Sequence, residues 1–316
     1  MTEQVAKHKE EEVLSKLDAF AELPDAPPKR KLKLSWVGKL ASLVVAFWMV
    51  IVVIGPSIAP HHEMDMDGED SFMVAHTNDY GTFHLGTDYL GRDTLSRVLY
   101  GARNTIGIAL LSTLLAYALG ITLGILAAVK GGWIDMGISR VNDAILALPS
   151  IMLGLIAIAA LGSSIPILIA TAGIIYATSV FRIARALGQD IMVQDFVEAA
   201  HARGEGIWYI IKSEVLPNAA MPLATDFGLR LVFVVLFISS LSFLGLGVQP
   251  PASDWGSMVR ENLAGLSGGI DLEGNTVVSY AAIWPAFAIA SFTIAINLIV
   301  DDISAKSGGS LAKKMI

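Results

Sequence analysis

Residues 144–181 run for 38 positions without a single Asp, Glu, Lys, Arg or His. As one helix at about 1.5 Å per residue the run would be roughly 57 Å long, close to twice the hydrocarbon thickness of a bilayer. It therefore reads as two membrane crossings joined by a turn, and Gly162-Ser163-Ser164-Ile165-Pro166 supplies the break. Four further uncharged stretches lie at residues 40–60, 104–129, 231–253 and 274–300. Together they predict an all-α, polytopic membrane bundle of six transmembrane helices, at about 36–59, 104–129, 144–162, 164–182, 223–247 and 279–300. Ser57-Ile58-Ala59 resembles a signal-peptide cleavage site. The charged 35 residues before the first run, and its length, favour an uncleaved anchor instead.

Orientation follows from the basic residues. Seven of the 22 Lys and Arg lie in residues 1–35. Placing that segment in the cytoplasm puts 16 basic residues inside and four outside, with Lys39 and Arg230 in or beside spans. Both termini are then cytoplasmic. The chain divides into a charged amino-terminal segment (1–35), a first helix (36–59), a periplasmic loop (60–103), a membrane core (104–303) and a cytoplasmic tail (304–316). Only 16% of residues are charged, against about 25% in soluble chains. The absence of cysteine excludes disulfides, thiolate metal sites and thiol nucleophiles. A net charge of −7 gives no footprint for nucleic acid.

The outer loop at 60–104 is acidic, with eight carboxylates against three Arg. His61, His62, Glu63, Asp65 and Asp67 have ligand chemistry, but no fixed metal-ligand spacing. They read as a solvated loop, and no metal site is expected. Residues 94–100 read as a short amphipathic helix with Leu95, Val98 and Leu99 on one face and Asp93 as its cap. On the cytoplasmic side, apolar residues from Phe181 to Met192 recur at helical intervals. Gly204 and Gly206 interrupt that pattern, and a short helix at 207–215 is expected to end at Pro217. A helix–Gly–helix at this face is a shape that can dock into another protein.

Asp226 and Arg230 are four apart and can pair on one helix face, near the inner end of the fifth span. No charge is expected at mid-membrane, which argues against an ion-coupled transporter and an intramembrane hydrolase. Gly120 and Gly124 permit close helix approach. No Gly-x4-Gly-Lys-Ser/Thr phosphate loop occurs, so ATP hydrolysis would belong to another subunit, and the chain is not expected to be an enzyme.

Glu198-Ala199-Ala200-His201-Ala202-Arg203-Gly204, followed by Leu216-Pro217-Asn218, resembles the EAA loop of ABC importer permeases. His84-Leu85-Gly86-Thr87-Asp88-Tyr89-Leu90-Gly91-Arg92-Asp93 with Gly101-Ala102-Arg103 is similar to a motif of the dipeptide/oligopeptide/nickel permeases. So are Gly131-Gly132-Trp133-Ile134-Asp135 and the segment from Arg140 to Pro149. Ser242-Phe243-Leu244-Gly245-Leu246-Gly247-Val248-Gln249-Pro250-Pro251 with Asp254-Trp255-Gly256, and Asn297-Leu298 with Asp301, complete the likeness. It covers about residues 84–305 and is nearest the C-type permease of that family. Glu214 stands where the family often has His, and Val300-Asp301-Asp302 where it often has Gly-Asp-Gly. Those departures bear on the substrate branch rather than on the family.

The resemblance implies a type I (MetI-like) importer permease in the bacterial inner membrane. Its expected partners are a homologous B-type permease, two ATPase subunits that hold ATP and Mg, a periplasmic or extracellular substrate-binding protein, and membrane lipid. No cofactor is expected in this chain. Coupling to the ATPases is expected from Glu198, Ala199, Ala200, Arg203, Gly204, Gly206, Leu216 and Pro217, in a loop at 183–222. Ser112, Thr113, Tyr117, Ser239, Ser240 and Ser242 are candidates for lining the substrate pathway, although such hydroxyls also bond back to their own helix. Asp226 and Arg230 are expected to brace the fifth span. Peptide is the expected solute; nickel chelates, glutathione, opines and oligosaccharides are carried by relatives. The competing readings are a secondary transporter or channel without ATPases and, less well supported, an intramembrane enzyme.

Overall fold

The computed structural model describes residues 34–66, 71–270 and 276–312. The amino-terminal segment up to residue 33, Asp67 and the last four residues lie outside the described residues. The order of elements is α1 (Trp36–Ile58), a small hairpin of β1 (His76–Asn78) and β2 (Gly81–Phe83), α2 (Thr94–Lys130), α3 (Gly132–Leu146) and α4 (Ser150–Leu161). Then follow α5 (Ile165–Met192), α6 (Asp195–Ala202), α7 (Ile207–Phe243), α8 (Trp255–Asn262) and α9 (Ile283–Ala312). A two-residue ladder, β3 (Gly269–Ile270) with β4 (Thr276–Val277), precedes α9. Helices α1, α2, α5, α7 and α9 are each long and apolar enough to cross a membrane, and α3 with α4 makes a sixth, bent crossing.

The core is a seam between α2 and α5, built from small residues. A Cβ added to Gly120 would lie 2.6 Å from the Val180 Cβ, and one on Gly124 would lie 2.8 Å from the Ala184 Cβ. Gly173 meets Leu115 and Gly188 meets Ala128 in the same way. Dispersion between closely apposed backbones holds such helices together where lipid supplies no hydrophobic drive. The pairing also sets direction. Positions 115, 120, 124 and 128 meet 173, 180, 184 and 188, so the two helices run parallel.

Parallel neighbours force the intervening chain to travel back across the membrane, and α3–α4 makes that return. It does so bent by 88° at Ala147-Leu148-Pro149. A single span at 144–162 was the expectation from hydropathy. Instead α3 starts beside the end of α5, where Arg185 grips both carboxylate oxygens of Asp135, and then climbs along α2 and α5. Pro149 has no N–H to continue the helix, and its ring disfavours helical geometry at Leu148.

Two other expectations are corrected. Residues 94–100 are not a separate interfacial helix; they are the first turns of α2, with Asp93 accepting from the Ser96 N–H as its cap. Nor does Pro217 end a helix. Residues Ile210–Val215 form a π-helical turn in which the Leu216 N–H reaches back five residues to the Ile211 carbonyl. That wider turn makes room for the proline ring, so α7 continues through it. It ends at Phe243 rather than 247, and Gly245 follows at φ +87°.

The seam yields a direct expectation. Gly120→Ala should lower the thermal midpoint of the detergent-solubilised protein, corresponding to about 1–3 kcal/mol of overpacking. Gly107→Ala on the same helix, where an added Cβ meets nothing within 4 Å, should leave the midpoint unchanged or raise it. Equal effects from both would show that the seam is not close-packed.

Candidate functional site

On the side expected to be cytoplasmic, α5 continues nearly three turns beyond Arg182 and hands over at Val193-Gln194 to α6. Asp195 and Glu198 sit in the first turn of α6 and His201 in its last, the charge order that suits a helix dipole. Gly204 takes φ +81°. The Glu205 N–H then reaches back to the Ala200 carbonyl and the Gly204 N–H to the His201 carbonyl, closing the helix with a glycine turn. Gly206 has an ordinary extended conformation and opens α7.

Helix α6 is held at two points. Val197 and Ala200 are fully buried, in one apolar cluster with Ile125 near the end of α2 and with Ile210 and Val215 at the start of α7. Glu198, Ala199, His201, Arg203 and Gly204 face outward. The two alanines of the motif thus do different things: Ala200 seats the helix and Ala199 presents a bare surface. Arg203 lies 4.0 Å from Glu205, an exposed pair of little energetic weight. Leu216 and Pro217 are exposed at the π-helical turn. The same segment exposes Val193 at 80% and Trp208 at 79%. Sequence reading missed both, although a Trp on a polar loop between spans is a signal in its own right.

Within the spans, Tyr117 and the Asp226–Arg230 pair come together. The Tyr117 hydroxyl donates to Asp226 Oδ2, Arg230 Nη2 donates to Oδ1 at 2.9 Å, and the guanidinium lies over the Phe233 ring. The Tyr176 hydroxyl donates to the Phe233 carbonyl, which sets this group beside the middle of α5, deeper than the expected end of the span and contrary to the expectation of no charge at mid-membrane. Tyr117 therefore braces the ion pair, and Asp226 is held from two helices.

The hydroxyls separate into two sets. Ser112 and Thr113 have no exposure and donate to the Ile108 and Ala109 carbonyls of their own helix. Ser242 is buried under Gly247 and Gly256. None of these three borders an open path, because close packing against neighbouring elements covers them. Ser239 and Ser240 do border an open groove of about 590 Å³ between α7, α8 and α9, lined otherwise by apolar residues such as Leu236, Phe243 and Ile294.

The opposite end of the bundle, expected to face outward, is built round Asp88. Its carboxylate accepts from the Leu90 and Arg92 N–H groups, from Arg92 Nε at 2.8 Å and from Arg97 Nη1. Both guanidiniums also reach Glu261, on α8. Arg97 Nε donates to Ser253 Oγ, Tyr89 N–H to Asn262 Oδ1, and the Trp255 indole to the Val98 carbonyl. Two glycine-rich loops distant in sequence are thereby locked together with charges paired and buried. Asp254 caps α8 through the N–H groups of Gly256 and Ser257. Burial still pushes its carboxyl above the usual carboxylate range. Among the described residues no group of three or more acidic or imidazole side chains is placed to hold a metal. The His61 ring instead stacks on Phe83, and the His61 backbone N–H donates to Ser96 Oγ.

The ion pair makes a measurable claim. Asp226→Asn alone should destabilise the solubilised protein by on the order of 1–3 kcal/mol, because it strands a part-buried guanidinium. Asp226→Leu with Arg230→Met should recover most of that loss in a thermal melt. A double variant worse than the single would mean that the pair is not a brace.

Residues 120–305 match the family described as binding-protein-dependent transport system inner membrane component. The glutathione transport system permease protein GsiD of Pectobacterium atrosepticum is 30% identical over 260 residues, covering 82% of this chain and 83% of the relative. The protein of the same name from Escherichia coli is 30% identical over 274 residues, 86% of each. Among solved structures, the MetNI methionine ABC transporter in an inward-facing conformation aligns with 66% of this chain and 96% of its own, at 16% identity and TM-score 0.49. An amino acid ABC transporter with histidines aligns at 15% identity and TM-score 0.47, over 66% and 92%. The chain belongs to the family of binding-protein-dependent transport system inner membrane components and is a multi-pass permease of an ATP-binding-cassette importer.

Proposed function

We propose that this permease carries small peptides, glutathione among them, across a bacterial plasma membrane. It pairs with a second, homologous permease, and the solute passes between the two. A substrate-binding protein outside delivers the solute. Two ATPase subunits below, holding ATP and Mg, drive alternating access, and both termini of this chain face them. The glutathione permeases to which it is 30% identical over most of its length support the solute class.

The seating of α6 carries the coupling reading. An eight-residue helix pinned by two buried side chains, with its other faces bare, is a stiff knob for a socket on another protein. Glu198, Ala199 and Arg203 would meet the ATPase, and Ala200, with the Gly204 turn, would keep the knob rigid. Because Val197 and Ala200 share one apolar cluster with α2 and α7, a displacement of the knob passes to both helices.

Mild-detergent purification of the tagged chain from its native cell should bring along a second permease and phosphate-loop ATPases, identified by mass spectrometry. Recovery of the chain alone, in a detergent that preserves known complexes, would point to a transporter without ATPases. Gly204→Val forces a β-branched residue into the left-handed region, at a strain on the order of 1–2 kcal/mol. The variant should reach the membrane yet lose solute uptake and stimulation of the ATPases. Survival of both would remove the coupling assignment. A strain lacking the chain should lose uptake of dipeptides or glutathione; retention of both with loss of another solute would show the solute class to be wrong.

A further inference from the structure

The break between α3 and α4 is out of place for a helix that faces lipid. Helices α2 and α5 run parallel, so α3 must begin at the level where α2 ends and α4 must end where α5 begins. The break at residues 147–149 therefore lies at depth, between the two membrane faces. Side-chain packing agrees. Asn142 and Ile145 of α3 share a groove with Leu119 and Leu123 of α2 and with Ile174 and Phe181 of α5. All four of those neighbours belong to the uncharged stretches of their helices.

At that depth the chain leaves polar groups open. Asp143, Ala147, Leu148, Pro149 and Ser150 are all exposed. Asp143 lies eight residues, about 12 Å of helix, beyond the Asp135–Arg185 pair. Among the described residues no cation lies within salt-bridge distance of it. Arg185, whose charge Asp143 feels, is already held by both oxygens of Asp135. Buried on the neighbouring face of α3, Asn142 keeps its Nδ2 without a partner. Irregular backbone and a carboxylate are tolerated inside a membrane only against protein or water. The carbonyl end of α3 adds the negative pole of its dipole at the same place.

We propose that the break at residues 147–150 opens onto the aqueous solute path, and that Asp143 with the carbonyl end of α3 is a station for an ammonium group, such as a peptide's free amine. This rests on the reading that a solute path runs between this chain and a second permease. A carboxylate and a row of carbonyls would replace the water around the cation as it passes the break. The station's anionic character favours solutes with an unblocked amine over their acylated forms.

The chain has no cysteine, so one introduced thiol reports its own surroundings. Ala147→Cys and Leu148→Cys are compared with Val53→Cys, on the outward face of α1, in the intact complex in native membrane vesicles. The probes are water-soluble methanethiosulfonates, one cationic (trimethylammonium) and one anionic (sulfonate). The two break positions should react at least about tenfold faster than position 53, since a thiolate forms only where water reaches. Asp143→Asn should lower the ratio of cationic to anionic rates by about fivefold, and Asp143→Glu should keep it. If the break positions react no faster than position 53 while the ATPases co-purify, the second permease covers the break and the station fails, with the importer reading intact. A ratio that Asp143→Asn leaves unchanged overturns the cation station. Fast labelling without co-purifying ATPases overturns the importer reading and leaves the aqueous path standing.

Discussion

The close approach of α2 and α5 is the contact from which the rest of the membrane domain follows. Four glycines and their alanine, valine and leucine partners bring two backbones together along the length of both helices. Because the helices are parallel, the chain between them has to cross the bilayer in the other direction. Helix α7 can then reach both, antiparallel, with Tyr117 of α2 and Tyr176 of α5 each bonded to it. Helix α9 closes on α7 through Gly228, where an added Cβ would strike Val300, and α1 closes on α9 through Trp48 and Ser291. A methyl group at Gly120 would therefore be felt well beyond its own contact.

Polar groups are handled differently at each depth. At the end away from α6, Asp88, Arg92, Arg97 and Glu261 are buried as two cations with two anions, with backbone N–H groups also satisfying Asp88. Buried charges persist only when so paired. The result is a rigid outer frame joining the loops before α2 and after α7. At mid-depth, among the described residues, one pair, Asp226 with Arg230, is held by a tyrosine from the neighbouring helix. Serines and threonines of the spans mostly return their protons to carbonyls one turn back, the choice open to a hydroxyl without water.

Much of this was legible in the residues. Hydropathy located the crossings and the turn at Gly162-Ser163-Ser164, and spacing put Asp226 and Arg230 on one face. Asp93 was recognisable as a cap and Gly204 as a turn. What the sequence hid was mostly relational. Pro149 sits inside an uninterrupted apolar run, and proline within a membrane helix can kink it slightly or break it. Only the parallel packing of α2 against α5 shows how far the path is bent. Pro217 misled in the opposite sense, because a π-helical turn absorbs it. Ser112 and Ser240 are both serines on apolar helices; whether such a hydroxyl borders a groove depends on helix rotation, which weak amphipathicity leaves undetermined. The outer ion cluster was invisible for the same reason: Arg92 and Arg97 are some 160 residues from Glu261, and nothing local pairs them.

The two ends of the molecule bear on one another through few, stiff connections. Under the proposed coupling, a push on α6 reaches α2 and α7 at Ile125 and Ile210, and the Tyr117–Asp226 contact ties those helices together higher up. They should therefore move as one body. Helix α3 is tied to the inner end of α5 by Asp135 and Arg185, whereas α4 packs against Phe237 and Leu241 of α7 through Gly154. The break lies between these two attachments and has no hydrogen-bonded helix across it to resist bending. The α2–α5 seam and the Tyr176–Phe233 bond place both attachments on one body, so the break is framed by α5 on one side and α7 on the other.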